Sequence, residues 1–258
     1  MTNHLNDNLQ FDLLTGIQEL DELLSDFNQS NLLILAAYPN MGKSVFAFNI
    51  GKNVAKNYNK TVVIFDLKIP TKEVITHSTV NNKSSNFDQC SIGEPIEVEK
   101  EKGTTVHTVF RYTDISVNKY SDFSVKKIKD ECCQLDNLGM VIIDDLQLLD
   151  HLNREKNSIE TNRVKRISKI SFDLKNMSKN LEVPVLCISQ LPCATDFRAE
   201  RRPLLRDLRE IGSIGQDADV VMFLYRESYY VTEAEKKETV QCIVAKNRYG
   251  RTGTVKLQ

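Results

Sequence analysis

Residues 32–44 read Leu-Leu-Ile-Leu-Ala-Ala-Tyr-Pro-Asn-Met-Gly-Lys-Ser, and their pattern decides the fold. The run from Leu32 to Ala37 predicts a strand buried on both faces. It breaks at Tyr38-Pro39-Asn40 before Gly42-Lys43-Ser44 opens a helix. Val45, Phe46, Phe48, Ile50, Val54 and Ala55 then recur at helical spacing up to Asn57-Tyr58-Asn59. In such a turn the backbone N–H groups converge at the positive end of the helix. The loop made by Ala37, Pro39, Asn40, Met41, Gly42, Lys43 and Ser44 can therefore wrap a polyphosphate. Lys43 is expected to reach the β- and γ-phosphates, and Ser44 to offer an oxygen to Mg²⁺. The phosphate-loop pattern asks for Gly, four residues, then Gly-Lys-Ser/Thr, and here Ala37 stands at the first glycine. An ordinary strand-to-helix turn would read the same way, so the rest of the chain has to decide.

The bounds are those of a globular α/β protein. At 258 residues and 41% hydrophobic content the chain can bury a sizeable core, as one large domain or two small ones. Lys+Arg 34 against Asp+Glu 35 gives a net charge of −1, so any nucleic-acid binding has to use local patches. The six cysteines (Cys90, Cys132, Cys133, Cys187, Cys193, Cys242) show no metal-ligand spacing and read as free thiols of a reducing cytoplasm. The first residues lack a basic start and an apolar core, and no apolar run approaches a membrane span, so a cytoplasmic location is expected.

Outward from the loop, Leu20, Leu23, Leu24 and Phe27 predict a short amphipathic helix after Thr15-Gly16-Ile17. Downstream, Thr61–Lys68 reads as a second strand and Pro70-Thr71 as a helix start, which completes a βαβ unit. Residues about 78–104 read as an irregular surface insertion, followed by a strand at Thr105–Tyr112 and a helix at Val125–Leu135. Gly139 to Leu149 is a further strand-like run. Its four apolar residues ending at Asp144 suit a carboxylate that holds Mg²⁺ at the strand's carboxyl end, or else a core strand with a helix-capping Asp. Ile167–Leu181 predicts a helix, and Val183 to Gln190 a strand ending in a polar pair. Gln190 is then expected beside Asp144, near a γ-phosphate; a strand-capping amide would look the same.

Residues 196–217 are rich in charge. Arg198, Arg201, Arg202, Arg206 and Arg209 stand there, the last two on a loop bounded by Pro203 and Gly212, and such arginines suit phosphate contacts, as they would a solvated face. Asp219–Tyr225 is another core strand, and Val240–Lys246 turning back to Thr254–Leu257 predicts a hairpin with Lys246, Arg248 and Arg251 towards a basic tip.

With these blocks in place, the chain resembles the C-terminal RecA-like motor domain of DnaB-type replicative DNA helicases over nearly its whole length. The resemblance rests on Thr15-Gly16-Ile17 with Leu20-Asp21, Ala37 to Ser44, Val141 to Leu148 and Ile188-Ser-Gln-Leu191. It rests further on Arg202-Pro203, Asp207-Leu-Arg-Glu210, Gly212-Ser-Ile, Gln216 to Val221, Phe223-Leu-Tyr-Arg226, Val244 to Arg248, Gly250 and Thr252 to Val255. It implies a P-loop NTPase fold with a mostly parallel central sheet flanked by helices and a C-terminal β-hairpin, spanning residues 15–258 after a tail at 1–14. It also implies a hexameric ring with ATP between neighbours and single-stranded DNA in the channel. Lys43, Ser44 and Asp144 are then expected to bind Mg-ATP, and Gln190 to couple the γ-phosphate to the DNA loops. Arg198, Arg209, Glu210 and Gly212 are expected at the DNA backbone. Arg248, with Lys246, matches the finger that reaches a neighbour's γ-phosphate.

Three departures from the family follow. Where the family has Ser-Leu-Glu-Met, its glutamate polarising the attacking water, this chain reads Asp66-Leu67-Lys68-Ile69. His77 stands where an arginine is usual. Only about a dozen residues precede Thr15, so the collar domain and linker helix are expected to be absent and ring cohesion reduced. Two functions fit. One is an ATP-driven helicase whose carboxylate has moved to Asp145 or Asp66. The other is a nucleotide- and DNA-binding regulator or partner of a replicative helicase that does not turn ATP over.

Overall fold

All six residues of Leu32–Ala37, β1, are fully buried. A strand without a single polar side chain needs cover on both faces, and the connections around it supply that cover. The computed structural model describes residues 13–24, 30–67, 95–98, 107–112, 124–152, 162–192, 202–209, 211–227 and 239–257. The strands after β1 are β2 (Thr61–Asp66), β3 (Pro95–Val98), β4 (His107–Tyr112), β5 (Leu138–Asp144), β6 (Val185–Gln190), β7 (Val220–Arg226), β8 (Val240–Asn247) and β9 (Gly253–Leu257). They form one sheet in the order β3-β4-β2-β5-β6-β1-β7-β8-β9. From β4 to β7 every pairing is parallel, and β3, β8 and β9 join antiparallel at the two ends.

The helices are α1 (Gln18–Leu24), α2 (Lys43–Tyr58), α3 (Val125–Cys132), α4 (Leu146–Leu152), α5 (Arg163–Leu181), α6 (Leu205–Arg209) and α7 (Ile214–Asp217). β1 leaves through α2 towards β2, whereas β5 leaves through α4 and α5 the other way along the sheet, towards β6. Right-handed crossovers then put α2 on one face and α5 on the other. α2 buries Phe46, Ala47, Ile50, Val54 and Ala55 against β2, β4 and β5, and α5 buries Ile167, Ile170, Leu174 and Met177 over β1 and β6. β1 and its neighbour β6 also leave in opposite directions, β6 running on to β7. The carboxyl ends of these two strands therefore flank a crevice where an open α/β sheet takes a ligand.

Buried polar residues fix the frame at the opposite edge. Asp219, fully buried, accepts from the Leu32 N–H at 2.8 Å and from Lys175 Nζ at 2.5 Å, pinning the start of β1 to α5. In the turn before α1, Asp21 accepts from the Thr15 N–H and hydroxyl, both at 2.6 Å, which gives the Thr15-Gly16 motif a structural role. Cys132, Cys187 and Cys242 are buried thiols that form no disulfide, and burial pushes those of Cys132 and Cys242 up to about 12.

Several sequence expectations need correction. The strand expected from Gly139 to Leu149 stops at Asp144, because Asp145 Oδ1 accepts from the Leu148 N–H at 2.9 Å and starts α4. The insertion expected to be irregular contains β3, whose four residues are too few to show a period and whose leading proline suits an edge strand. The arginine-rich loop contains the one-turn helix α6, begun by Asp207 accepting from the Leu204 N–H at 2.8 Å and held by buried Leu208. The helix expected from Ile167 begins at Arg163, where the Asn162 side chain caps Val164 N–H. The helix expected at Pro70-Thr71, with Lys68 and His77, lies outside the described residues.

Removing the Asp219 carboxylate leaves Lys175 without its charged partner in a largely buried position, so Asp219→Ala is expected to cost about 3 kcal/mol. Asp219→Asn, which retains an acceptor for the Leu32 N–H, is expected to cost less. Urea unfolding midpoints at constant m-value check both; equal stability of the three proteins would contradict the pinning role.

Candidate nucleotide site

The loop after β1 has the conformation that its sequence allows. Asn40 and Gly42 adopt φ of 59° and 83°, and Gly42 precedes α2 as a cap residue with no side-chain cap. The first N–H groups of α2 are thus offered to an anion, with the helix dipole behind them. Lys43 is buried, and its Nζ lies inside the loop, donating to the Tyr38 carbonyl at 2.8 Å. The Ser44 hydroxyl donates to Asp144 Oδ2 across from β5. Two hard oxygens are therefore in reach of one cation, which suits Mg²⁺ that takes its remaining ligands from water and substrate phosphates. Among the described residues no group of three or more His, Cys, Asp or Glu side chains gathers to hold a metal by itself.

Register decides which other residues join this edge. Asp66 at the end of β2 aligns with Asp144 at the end of β5, and both are buried, as is Asp145. Gln190 aligns with Ala37 of the phosphate loop, and the Leu191 N–H donates to the Ala37 carbonyl at 3.0 Å. Gln190 is exposed and stands beyond the last β5–β6 pair, Ile143 with Cys187. Lys43, Ser44, Asp66, Asp144 and Gln190 thus lie along one carboxyl edge. Asp145 belongs to the same edge but is engaged in capping α4.

Lys246 and Arg248 are at the other edge. β8 runs antiparallel to β7 with Asn247 opposite Val220, the first residue of β7, whereas Ala36 near the phosphate loop aligns with Phe223. At about 3.3 Å per residue, the tip after β8 is at least about 13 Å along the sheet from the loop of its own chain. Arg248 is half-exposed. It donates to the Gln216 carbonyl at 2.9 Å, with its other terminal nitrogen 3.6 Å from Asp219. Lys246 is turned inward, donating to the carbonyls of Gly215, Gln216 and Ala218 at 2.9, 2.9 and 2.6 Å. Burial lowers its ammonium from the usual lysine range and Arg248 adds to that, while Asp219 and Asp217 oppose it. Between them Asn247 donates to the Leu23 carbonyl at 3.0 Å, fastening the tip to the end of α1. Gly250 allows this approach, since a Cβ there would lie 2.7 Å from the Leu23 oxygen.

Arg209 is exposed at the end of α6, and Gly212, at φ 144°, packs under α5 where the Ser213 N–H donates to Ser168 Oγ at 3.0 Å. Arg198 and Glu210 lie outside the described residues. Sequence reading missed a cavity of about 830 Å³ beside the phosphate loop, where Gly42 and Val45 of the α2 start face Leu224, Arg226 and Leu257 of the C-terminal strands. No local pattern marks it, because its walls come from distant segments. It also missed Gln147 and Asn247, which stand inside quoted motifs but act through contacts far along the chain.

Comparison with known proteins gives the family and the fold. A family profile described as the DnaB-like helicase C terminal domain matches residues 12–258. The chain is 37% identical over 246 residues to the replicative DNA helicase DnaB of Geobacillus stearothermophilus and, to the same extent, to the replicative DNA helicase DnaC of Bacillus subtilis (strain 168). Each match covers 94% of this chain and 53% of the relative, so the chain spans about half the length of these helicases. A DnaB-like replicative helicase solved in a study of its interactions with primase superposes with a TM-score of 0.75 at 29% identity, covering 97% of this chain and 62% of that one. A second solved structure, an isolated ATPase domain, gives 0.72 at 29% identity, covering 98% of this chain and 89% of that one. A loop that offers uncapped N–H groups, a Ser44–Asp144 pair and an arginine at the far edge thus sit in a chain that belongs to the DnaB-like helicase C-terminal domain family.

Proposed function

We propose that this domain is the ATP-driven motor of a DnaB-type helicase acting on single-stranded DNA, with Arg248 completing the nucleotide site of an adjacent copy in a ring of six. The observation that carries this reading is the split between edges: Lys43, Ser44, Asp144 and Gln190 at the carboxyl ends of the strands, Arg248 at the other. An arginine so far from its own phosphate loop cannot reach its own nucleotide; next to an adjacent copy it would meet that copy's phosphates and stabilise transition-state charge. The loop N–H groups and Lys43 bind the polyphosphate, Ser44 and Asp144 hold Mg²⁺, and Gln190 meets the γ-phosphate. The cavity next to Gly42 takes the nucleoside, its size lying in the usual range for small-molecule sites. A Mg²⁺ ion held by Ser44 and Asp144 would supply positive charge to offset that of the phosphates. The three bonds from Lys246 to its own chain favour a structural task for this lysine beside Arg248 in the free subunit. No helix among the described residues is long and apolar enough to cross a membrane.

A second reading, a nucleotide- and DNA-binding partner of a replicative helicase without turnover, is favoured by one feature of the sequence: Lys68 in place of the family's glutamate. A cation there would favour bound phosphate yet cannot take a proton from water. Wild-type ATP turnover with single-stranded DNA is accordingly expected to be about a hundred- to ten-thousandfold below that of family members bearing the glutamate. Lys68→Glu is expected to raise it. Asp145→Asn is the control, since it retains an oxygen to cap α4. Loss of residual turnover in Asp145→Asn, with no gain in Lys68→Glu, would assign the base to Asp145 and favour the motor. Fast DNA-stimulated turnover insensitive to both changes would contradict this account of the carboxylate.

Exposed Arg209 is expected to contact the DNA backbone without reading bases. Single-strand affinity should then fall with salt, and Arg209→Ala should reduce the slope of log K against log salt by about one contact. A wild-type slope in the mutant, measured by fluorescence anisotropy, would count against this role.

A further inference from the structure

Gln147 stands in the first turn of α4, three residues after Asp144, and its side chain pairs with the main chain of β6. Its Nε2 donates to the Gln190 carbonyl at 2.8 Å and to Ser189 Oγ at 3.0 Å, and its Oε1 accepts from the Gln190 N–H at 3.1 Å. One side-chain amide thus satisfies both main-chain groups of a single residue, as a neighbouring strand would. The position explains the need. β5 pairs with β6 only as far as Ile143 with Cys187, so the last residues of β6 have no strand on that side, while on the other side Ala37 of β1 aligns with Gln190. Gln147 takes over where β5 ends.

The Gln190 side chain is exposed, so where its amide can reach depends on how firmly its backbone is held. Pairing with β1 ties that backbone to the phosphate loop, and the Gln147 amide ties it, through the short link of residues 144–147, to the carboxylate that holds the cation. We infer that Gln147 is a positioning residue for Gln190: it sets the Gln190 main chain between phosphate loop and Asp144, so that the Gln190 amide discriminates a nucleoside triphosphate from a diphosphate. This rests on the nucleotide reading above and deepens it.

The test compares two ligands on the full chain with Mg²⁺ present, ATPγS and ADP, each displacing a fluorescent ADP analogue. Gln147→Met keeps the length of the side chain and removes all three bonds. Gln147→Glu keeps an acceptor for the Gln190 N–H and turns an acceptor towards the Gln190 carbonyl. Both variants are expected to weaken ATPγS about five- to tenfold, the effect of one or two net hydrogen bonds, with ADP unchanged. In a Gln190→Ala background the further change to Gln147→Met should leave the ATPγS-to-ADP ratio where it is. Equal weakening of both nucleotides, no weakening of either, or an undiminished effect in the Gln190→Ala background overturns the inference. Thermal melts accompany each protein; should Gln147→Met not fold, Gln147→Glu carries the same comparison. A wild-type chain that binds neither nucleotide refutes the nucleotide reading itself, a failure seen before any variant is made.

Discussion

The parallel register of β2, β5, β6 and β1 is the constraint on which the site depends. These strands are buried on both faces, so their polar residues can emerge only at the ends. Register then decides which ends meet. Asp66 aligns with Asp144, Ala37 aligns with Gln190, and the α2 start folds over so that Ser44 reaches Asp144. A slip of one residue in any pairing would exchange the side chains between the two covered faces, upset the packing on both, and misalign these groups together. The hydrophobic core therefore does the positioning, and the polar residues follow from it.

The other edge is organised by charge. Asp219 gathers the Leu32 N–H, Lys175 and, at longer range, Arg248 around one buried carboxylate. One of its oxygens has no hydrogen-bond partner, which leaves a negative potential beneath the Arg248 guanidinium. Next to this point Lys246 draws α7 to β8 through the Gly215 and Gln216 carbonyls, and Asn247 draws the tip to α1. Arg248 therefore hangs from a strand whose two preceding residues are each fastened to a different element. α7 begins two residues after Gly212, and its Gln216 carbonyl is the one that Arg248 binds.

Much of this was legible in the sequence, and the remainder failed for physical reasons. The strand at 32–37, the helix after Gly42 and the strand into Asp144 are local patterns, whose side chains are chosen by burial within one element. The limits of α4 and α6 were harder to read. Asp145 just before α4 and Asp207 in the first turn of α6 fix these starts, and their role becomes visible only when each carboxylate is seen to accept a main-chain N–H. The Gln147 clamp, the link from Asn247 to Leu23 and the cavity join residues far apart in the chain, and no period or spacing encodes such a meeting. The family resemblance supplied roles for Lys246 and Arg248 alike, but the two side chains make different contacts: one is enclosed by carbonyls of its own chain, the other half-exposed.

The central claim is that the edge bearing Lys43, Ser44 and Asp144 is already a nucleotide site in this chain. Isothermal calorimetry of the wild-type protein with ATPγS, in Mg²⁺ and again in excess EDTA, addresses it directly. The account predicts saturable binding at one site per chain that weakens markedly without the cation. Absence of saturable binding in Mg²⁺, or binding of equal strength with and without it, would contradict the account.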